Sequence, residues 1–175
     1  MTDGTYFETT IGWIGLVASE KGVVQVLLGG KDRDQVTQAL ELHSNGTCTS
    51  TSARGKPILR EATAQIRDYF RGKRKDFTVP VDLSSGTGFQ RRVWRSIERI
   101  PYSRVRSYQW VAARVGGKHY ARAVGMALGA NPVPLLIPCH RIVAQDGSLG
   151  GFSCGLNYKR LLLQLEGSLA LLRFR

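Results

Sequence analysis

The chain has 175 residues, of which 42% are hydrophobic, as expected for a globular protein of one ordinary domain or two small ones. Its three cysteines are an odd number without framework spacing, which argues against a secreted disulfide scaffold and favours a reducing compartment. No apolar run is long enough to cross a membrane, and the N-terminus lacks the basic and apolar regions of a signal peptide. We therefore expect a cytoplasmic protein, or a nuclear one in a eukaryote.

The formal net charge of +12 is distributed unevenly along the chain. Residues 1–85 contain 11 Lys and Arg against 10 Asp and Glu, whereas residues 86–175 contain 14 against 3. A segment this basic is expected to attract a polyanion, and nucleic acid is the natural candidate. A membrane surface is the alternative, but the basic residues are not confined to one amphipathic helix.

The first half of the chain alternates strand-like and helical patterns. Three segments are strand-like and predict a β-hairpin region, at residues 5–9, 13–18 and 23–28. Residues 34–42 have the spacing of a short helix, and Pro57 to Phe70 predict a longer one that ends before Gly72. We interpret residues 44–55, which include Cys48, as a mobile polar loop, and residues 77–83 as a short extended segment.

A Ser- and Gly-rich stretch at residues 84–88 coincides with the change in charge balance. Such stretches commonly separate domains. We therefore predict two domains, at residues 1–85 and 86–175.

The second half predicts a helix-turn-helix. Thr87 and Gln90 have the spacing of a capping box and begin a helix that Pro101 closes. Ser107 can cap a second helix, Tyr108 to Val115, and after Gly116-Gly117 a third runs from about Tyr120 to Ala130. Two helices joined by a short glycine-containing turn, in the basic half, indicate DNA binding.

The third helix carries one long polar side chain, Arg122, among small residues. A major-groove reader normally uses several Arg, Asn or Gln side chains. Small residues instead permit close approach to the minor groove, where one projecting Arg can insert into the base stack. Tight helix packing is an equally good explanation of the small residues.

The chemical signal is Cys139, which follows the apolar segment 133–137 and Pro138 and is followed by His140 and Arg141. A proton acceptor or a cation beside a thiol lowers its pKa and makes it a nucleophile. A small buried residue at a strand end is the alternative interpretation. Further on, residues 150–155 form a Gly-rich loop, and Asn157 to Glu166 predict a helix with Leu161, Leu162 and Leu165 inward and Gly167 at its end.

The run from Phe89 to Gly167 resembles the O6-alkylguanine-DNA alkyltransferases, the methylated-DNA–protein-cysteine methyltransferases. The most specific pieces are Pro138-Cys139-His140-Arg141 and, downstream, Leu165-Glu166-Gly167. The other matching pieces are Phe89-Gln90 with Val93-Trp94, Ile100-Pro101, Ser107-Tyr108, Ala121 to Gly125 and Asn131-Pro132. The first half matches loosely, around Tyr69-Phe70 with Gly72 and Val81 to Leu83. The resemblance implies an α/β ribonuclease-H-like first domain and a mainly α, winged helix-turn-helix second domain.

The resemblance also implies a function: direct repair of O6-alkylguanine, and of O4-alkylthymine, in double-stranded DNA, by a monomer that needs no cofactor. The damaged base is flipped out, Arg122 fills its place, and Cys139 takes the alkyl group irreversibly. His140 removes the thiol proton through a water, and Glu166 orients His140. The resemblance also implies roles for other residues. Asn131 links the helix-turn-helix to the turn at Cys139, Tyr108 and Ser153 donate to the departing base, and the Cys139 and Ile142 carbonyls accept from its amine. Phe152 and Pro134 form the pocket walls, and Gln109 and Ala121 lie beside Tyr108 and Arg122 on the DNA-binding surface.

One departure from the family pattern is Cys154, which stands in the Gly-rich loop where glycine is usual. A larger side chain there can tighten the loop, alter tolerance for large alkyl groups, or form a bridge to Cys139. The zinc found in some family members has no recognisable ligand set here, so we predict no metal.

Two other classes of function remain as alternatives. A DNA-binding protein without transfer, such as a lesion-marking relative, would lack the cysteine that is present here. A cysteine hydrolase built from Cys139, His140 and Glu166 would leave the charge of the second half unexplained.

Overall fold

The structure of the protein is a computed structural model, which describes residues 2–43 and 57–172. The loop predicted at residues 44–55, with Cys48, lies outside these residues. The chain divides into two compact units, Met1–Leu83 and Ser84–Arg175.

The first unit is a three-stranded antiparallel sheet with two helices. Its strands lie in the order β1 (Asp3–Thr9), β2 (Gly12–Ala18) and β3 (Val23–Gly30), and its helices are α1 (Arg33–His43) and α2 (Pro57–Phe70). Central strand β2 is buried from Ile14 to Ala18 and contacts α1, which explains Gly15: an added Cβ there would lie 2.8 Å from a Val36 methyl. The predicted α/β character is confirmed, and the three predicted strand-like segments form this sheet.

The predicted extended segment, residues 77–83, joins this sheet beside Val23. Val81 pairs in parallel with Val23, whose amide donates to the Pro80 carbonyl at 2.9 Å. Asp82 N–H returns a bond of 2.9 Å to the Val23 carbonyl.

The second unit is mainly helical. Its elements are α3 (Gly88–Ile97), β4 (Arg106–Ser107), α4 (Tyr108–Val115), a 3₁₀ turn (Lys118–Tyr120), α5 (Ala121–Gly129), a 3₁₀ turn (Cys139–Arg141), β5 (Ile142–Val143), α6 (Leu156–Leu165) and a last 3₁₀ turn (Leu169–Leu171). Strands β4 and β5 pair in parallel, and this pairing joins the start of α4 to the residues that follow Cys139.

The helix starts of this unit form as predicted. Thr87 and Gln90 make both bonds of the capping box, at 3.2 and 2.8 Å, and the Ser107 hydroxyl accepts from the Trp110 amide at 3.2 Å. Helices α4 and α5, with the intervening turn, form the predicted helix-turn-helix. Trp94 of α3 anchors it, because its buried indole N–H donates to the Ala127 carbonyl of α5 at 2.7 Å.

The inward face of α6 differs from the prediction. Leu162 and Leu163 are fully buried, but Leu161 and Leu165 are 45% and 37% exposed. The third member of the buried face is Lys159, which precedes Leu162 and Leu163 by three and four residues and is completely buried. A charged residue is not expected on the core side of a helix. The sequence pattern therefore predicted a buried face that included Leu161 and Leu165 in place of Lys159.

Candidate active site

Cys139 begins a 3₁₀ turn and is only 4% exposed. Asn131, just after α5, holds this turn: its side-chain amide donates to the Ile137 carbonyl at 3.0 Å and to Cys139 Sγ at 3.1 Å. Its side-chain oxygen accepts from the Val133 amide at 3.1 Å. Asn131 therefore links the helix-turn-helix to the cysteine turn, and the direct contact with the sulfur is one that the sequence did not predict.

The Glu166 carboxylate contacts both residues that follow Cys139, namely His140 and Arg141. His140 Nε2 lies 2.9 Å from Glu166 Oε1, and both side chains are completely buried. Arg141 donates to both carboxylate oxygens, with Nη2 to Oε1 at 2.7 Å and Nε to Oε2 at 3.0 Å. Arg141 Nη1 also donates to the Ile100 carbonyl at 2.5 Å. The structure thus brings His140 and Glu166 together, with Arg141 as a third member of the cluster.

These contacts fix the protonation of the pair. Burial acts to raise the pKa of Glu166, but His140 and Arg141 outweigh it and hold this pKa at about 2. Burial lowers the pKa of His140, so the imidazole is neutral near pH 7. Because an ionised carboxylate only accepts, Nε2 must carry the imidazole proton, which leaves Nδ1 with its lone pair. Nδ1 is buried and has no hydrogen-bond partner among the residues described.

The electrostatic environment of Cys139 is the opposite of the one predicted. Burial raises the pKa of its thiol to about 12, although the Asn131 hydrogen bond and the Lys159 charge act to lower it. The prediction that His140 and Arg141 would lower this pKa was wrong, because Arg141 is bound to Glu166 and His140 is neutral. The resting thiol is therefore protonated.

Lys159 is the residue of the site that the sequence interpretation missed. Its ammonium donates to the carbonyls of Ile142 at 2.6 Å, of Gly151 at 3.0 Å, and of Leu149. Burial lowers its pKa to about 8. It therefore ties the segment after Cys139 to the Gly-rich loop. No local sequence signal marks it, since a lysine on a helix is usually exposed.

Tyr108, the first residue of α4, faces the same loop. Its hydroxyl donates to the Gly151 carbonyl at 3.2 Å and lies 3.1 Å from the Gly151 amide. Gly150 has φ +64°, and an added Cβ would lie 2.8 Å from the Tyr108 ring, so both its conformation and its space require glycine. Burial raises the pKa of Tyr108, and a charge on Cys139 adds to this effect.

The other predicted site residues occupy three regions. In the loop, Phe152 is half-buried and Ser153 exposed, with the Ser153 hydroxyl 4.0 Å from Cys154 Sγ. Pro134 and Ile142 are buried on either side of Cys139, and the Ile142 carbonyl, already bonded to Lys159, keeps a second lone pair. On the helix-turn-helix, Gln109 and Arg122 are exposed and Ala121 is half-buried.

The α5 surface supports both explanations of its small residues. Val124, Ala127 and Leu128 are buried and serve packing, whereas Arg122 and Met126, one turn apart, are exposed. Gly125 lies toward Tyr108, since an added Cβ would be 3.8 Å from its ring.

Residues 2–43 and 57–172 contain neither a candidate metal site nor a candidate membrane-spanning helix. No group of three or more His, Cys, Asp or Glu side chains there could hold a metal ion. No helix in residues 2–43 and 57–172 is long and apolar enough to span a membrane.

Few classes of protein have a DNA-binding type of domain with a buried cysteine beside a His–Glu pair. Comparison with known proteins identifies the class. Residues 4–83 match the family model described as 6-O-methylguanine DNA methyltransferase, ribonuclease-like domain, and residues 88–168 match its DNA binding domain. The chain belongs to the O6-alkylguanine-DNA alkyltransferase family, the methylated-DNA–protein-cysteine methyltransferases.

Relatives match over nearly the whole chain. The methylated-DNA–protein-cysteine methyltransferase of Methanosarcina acetivorans is 36% identical over 163 residues, which are 93% of this chain and 96% of that protein. The crystal structure of Mycobacterium tuberculosis O6-methylguanine methyltransferase has a TM-score of 0.79 at 33% identity, covering 96% of this chain and 94% of the other. A crystal structure of Mycobacterium tuberculosis OGT in complex with DNA has a TM-score of 0.76 at 33% identity, covering 95% and 93%. The predicted ribonuclease-like and DNA-binding parts are thereby confirmed.

Proposed function

We propose that this protein repairs double-stranded DNA by moving the alkyl group of O6-alkylguanine, and of O4-alkylthymine, onto Cys139. The bond between the alkyl carbon and Cys139 Sγ forms as the bond from that carbon to the base oxygen breaks. The electron pair of the broken bond goes to the base, which takes up one proton, and this proton balances the one that leaves the thiol. The products are an unmodified guanine or thymine and a thioether on Cys139. Since a thioether is a stable product, each molecule acts once.

The observation that carries this proposal is the buried set of Cys139, His140 and Glu166 within the basic DNA-binding unit. Neutral His140 has its only free lone pair at Nδ1, and Glu166 holds the other nitrogen protonated. A water between Nδ1 and Cys139 Sγ would satisfy a buried acceptor and carry the thiol proton to it. The imidazolium that results is stabilised by the Glu166 carboxylate.

The raised pKa of Cys139 gives this site selectivity. Burial raises this pKa and keeps the thiol protonated at neutral pH, so the free protein reacts slowly with electrophiles in solution. Reaction requires proton transfer to His140 as the alkyl carbon approaches. A base held in the pocket supplies that geometry, whereas a diffusing electrophile does not.

The base must reach Cys139 from inside a duplex. We assign Arg122 to the space that a flipped base leaves, with Gln109 and Ala121 against the same groove, because Arg122 projects from an α5 surface of small residues. Small side chains let the helix approach the narrow minor groove closely.

The pocket itself is built from the loop and the cysteine turn. Phe152 and Pro134 wall the alkyl group, and the carbonyls of Cys139 and Ile142 accept from the exocyclic amine. The Tyr108 hydroxyl and the Ser153 amide donate to the base as it gains negative charge. Tyr108 must exchange its Gly151 partner for the base, a change of one hydrogen bond.

The protein is further proposed to act as a monomer without cofactor, in the cytoplasm close to DNA. A reactive free thiol suits a reducing compartment, and one molecule supplies every group that the reaction uses.

The test is intact-protein mass spectrometry after incubation with a duplex that contains one O6-methylguanine. The wild type should gain one methyl group, located on the peptide that contains Cys139. Cys139→Ala should bind the duplex but gain no mass, and Cys154→Ser should react like the wild type. An unchanged wild-type mass at saturating duplex would refute the proposal.

A further inference from the structure

A basic groove on the second unit is lined by residues of α3 and α4 but by none of α5 or of the turn that begins at Cys139. It has a volume of about 500 Å³ and lies between α3, the residues that follow α3, and α4. Its charged lining consists of Arg95, Arg99, Arg106 and Arg114 with one acid, Glu98, and its aromatic wall is Trp110.

Trp110 holds two of these arginines in place. The guanidinium carbon of Arg114 lies 4.0 Å from the Trp110 ring centroid, and that of Arg106 lies 5.4 Å away. Cation–π stacking of this kind restrains an arginine without using its N–H donors. Of these donors, Arg106 Nη1 already binds the Val105 carbonyl at 3.0 Å. No ion pair neutralises Arg95, Arg99, Arg106 or Arg114 within the part of the chain that the structure describes.

The groove faces away from the proposed lesion site. Trp110 follows Tyr108 by two residues, which places it about 200° around the α4 axis. Arg114 follows Trp110 by four residues and shares its side. Tyr108 faces the Gly-rich loop beside Cys139, so Trp110 and Arg114 point in a different direction. The lining residues come from neither α5 nor the cysteine turn.

We propose that this groove is a second DNA-binding surface, which takes the phosphate backbone without regard to sequence. Guanidinium groups match phosphate oxygens in a bidentate manner, and a groove with four arginines and one acid concentrates polyanions. Arg114 already covers part of the Trp110 ring, which favours phosphates over stacked bases as occupants. The phosphates come either from a second duplex or from the flank of the duplex bound at α5. This inference rests on the proposed function in one respect, because both require that the protein binds DNA.

The salt dependence of DNA binding tests this surface. Affinity for undamaged duplex should be measured between 50 and 200 mM salt for the wild type and for the triple variant Arg95→Gln, Arg99→Gln, Arg114→Gln. Each lost phosphate contact makes the slope of log affinity against log salt shallower by about 0.9. Across this range, loss of three contacts should reduce the salt-induced fall in affinity by a factor of about 40.

A matched control removes the same charge from the first unit: Lys21→Gln, Lys31→Gln, Lys73→Gln, all three exposed. Its slope should stay close to that of the wild type. Equal slopes for the groove variant and the control would overturn the proposal. Transfer from free O6-methylguanine base should be unchanged in both variants, so a failure of Cys139 chemistry, or of all DNA binding by the wild type, would count against the proposed function instead.

Two further arms identify the source of the phosphates. If the groove takes a second duplex, wild-type protein on an immobilised duplex should capture a labelled one, and the groove variant should not. If it takes the flank of the same duplex, capture should be absent and the slope difference should appear on long duplexes but disappear on short ones. Either result supports the groove as a DNA surface.

Discussion

Replacing Glu166 by Gln should destabilise the protein strongly at neutral pH and weakly in acid. The variant keeps the shape of the side chain but removes the charge that His140 and Arg141 both contact. The folded pKa of Glu166, about 2, lies below its ordinary value of 4.5. A depressed carboxyl pKa contributes stability that is complete above pH 4.5 and is lost as pH falls toward 2.

The size of the effect follows from that difference. Two and a half pKa units correspond to about 3 kcal/mol of folding free energy at pH 7, in the range expected when one partner of a buried ion pair is removed. At pH 3 the same linkage leaves about 1 kcal/mol. The difference in unfolding free energy between the wild type and Glu166→Gln should therefore shrink by about 2 kcal/mol from pH 7 to pH 3.

Urea unfolding at the two pH values measures this difference. Glu98→Gln serves as the control, because Glu98 is an exposed acid of the same unit, and it should change stability by less than about 0.5 kcal/mol at both pH values. A Glu166→Gln effect of equal size at pH 7 and pH 3 would refute the assignment of a buried, ionised carboxylate.

Three further substitutions test other parts of the site. In the wild type, the pKa of Lys159 is lowered from 10.5 to about 8, which disfavours the folded state below pH 8. The free energy of unfolding should therefore rise by about 2 kcal/mol between pH 7 and pH 9.5. Thermal unfolding of Lys159→Met should show no such rise. Asn131→Ala leaves the buried Val133 amide without its acceptor and the Cys139 thiol without its donor. Denaturant unfolding should therefore show that the free energy of unfolding falls by about 2 kcal/mol. A thiol titration should show that the pKa of Cys139 rises further. Arg122→Ala should slow transfer from duplex about tenfold or more but leave transfer from free O6-methylguanine within about twofold, measured as methylated protein against time; equal losses on both substrates would remove the flipping role.

Local signals in the sequence predicted much of the second unit. The Thr87 and Gln90 capping box and the Ser107 cap act over three residues, so the helix starts could be located without knowledge of the tertiary fold. The pair of His140 and Glu166, 26 residues apart, is different: only the family resemblance joined them, because side-chain distance across a fold is not encoded in spacing.

What the sequence could not predict depends on burial. Lys159 looks like an ordinary helix-surface lysine until its three carbonyl partners are known, and its burial displaces the apolar face of α6 from Leu161 and Leu165. The pKa of Cys139 was predicted from its chain neighbours, but desolvation governs it, and desolvation depends on residues such as Asn131 that meet it only in the fold.

The central claim is that Cys139 is a reactant consumed once. Titrating a fixed amount of protein with increasing O6-methylguanine duplex, and counting both repaired guanines and methylated Cys139 peptide, tests it most directly. The mechanism predicts that both counts rise together and stop at one per protein molecule. Repair that continues beyond one guanine per molecule, or a methyl group found on a residue other than Cys139, would contradict it.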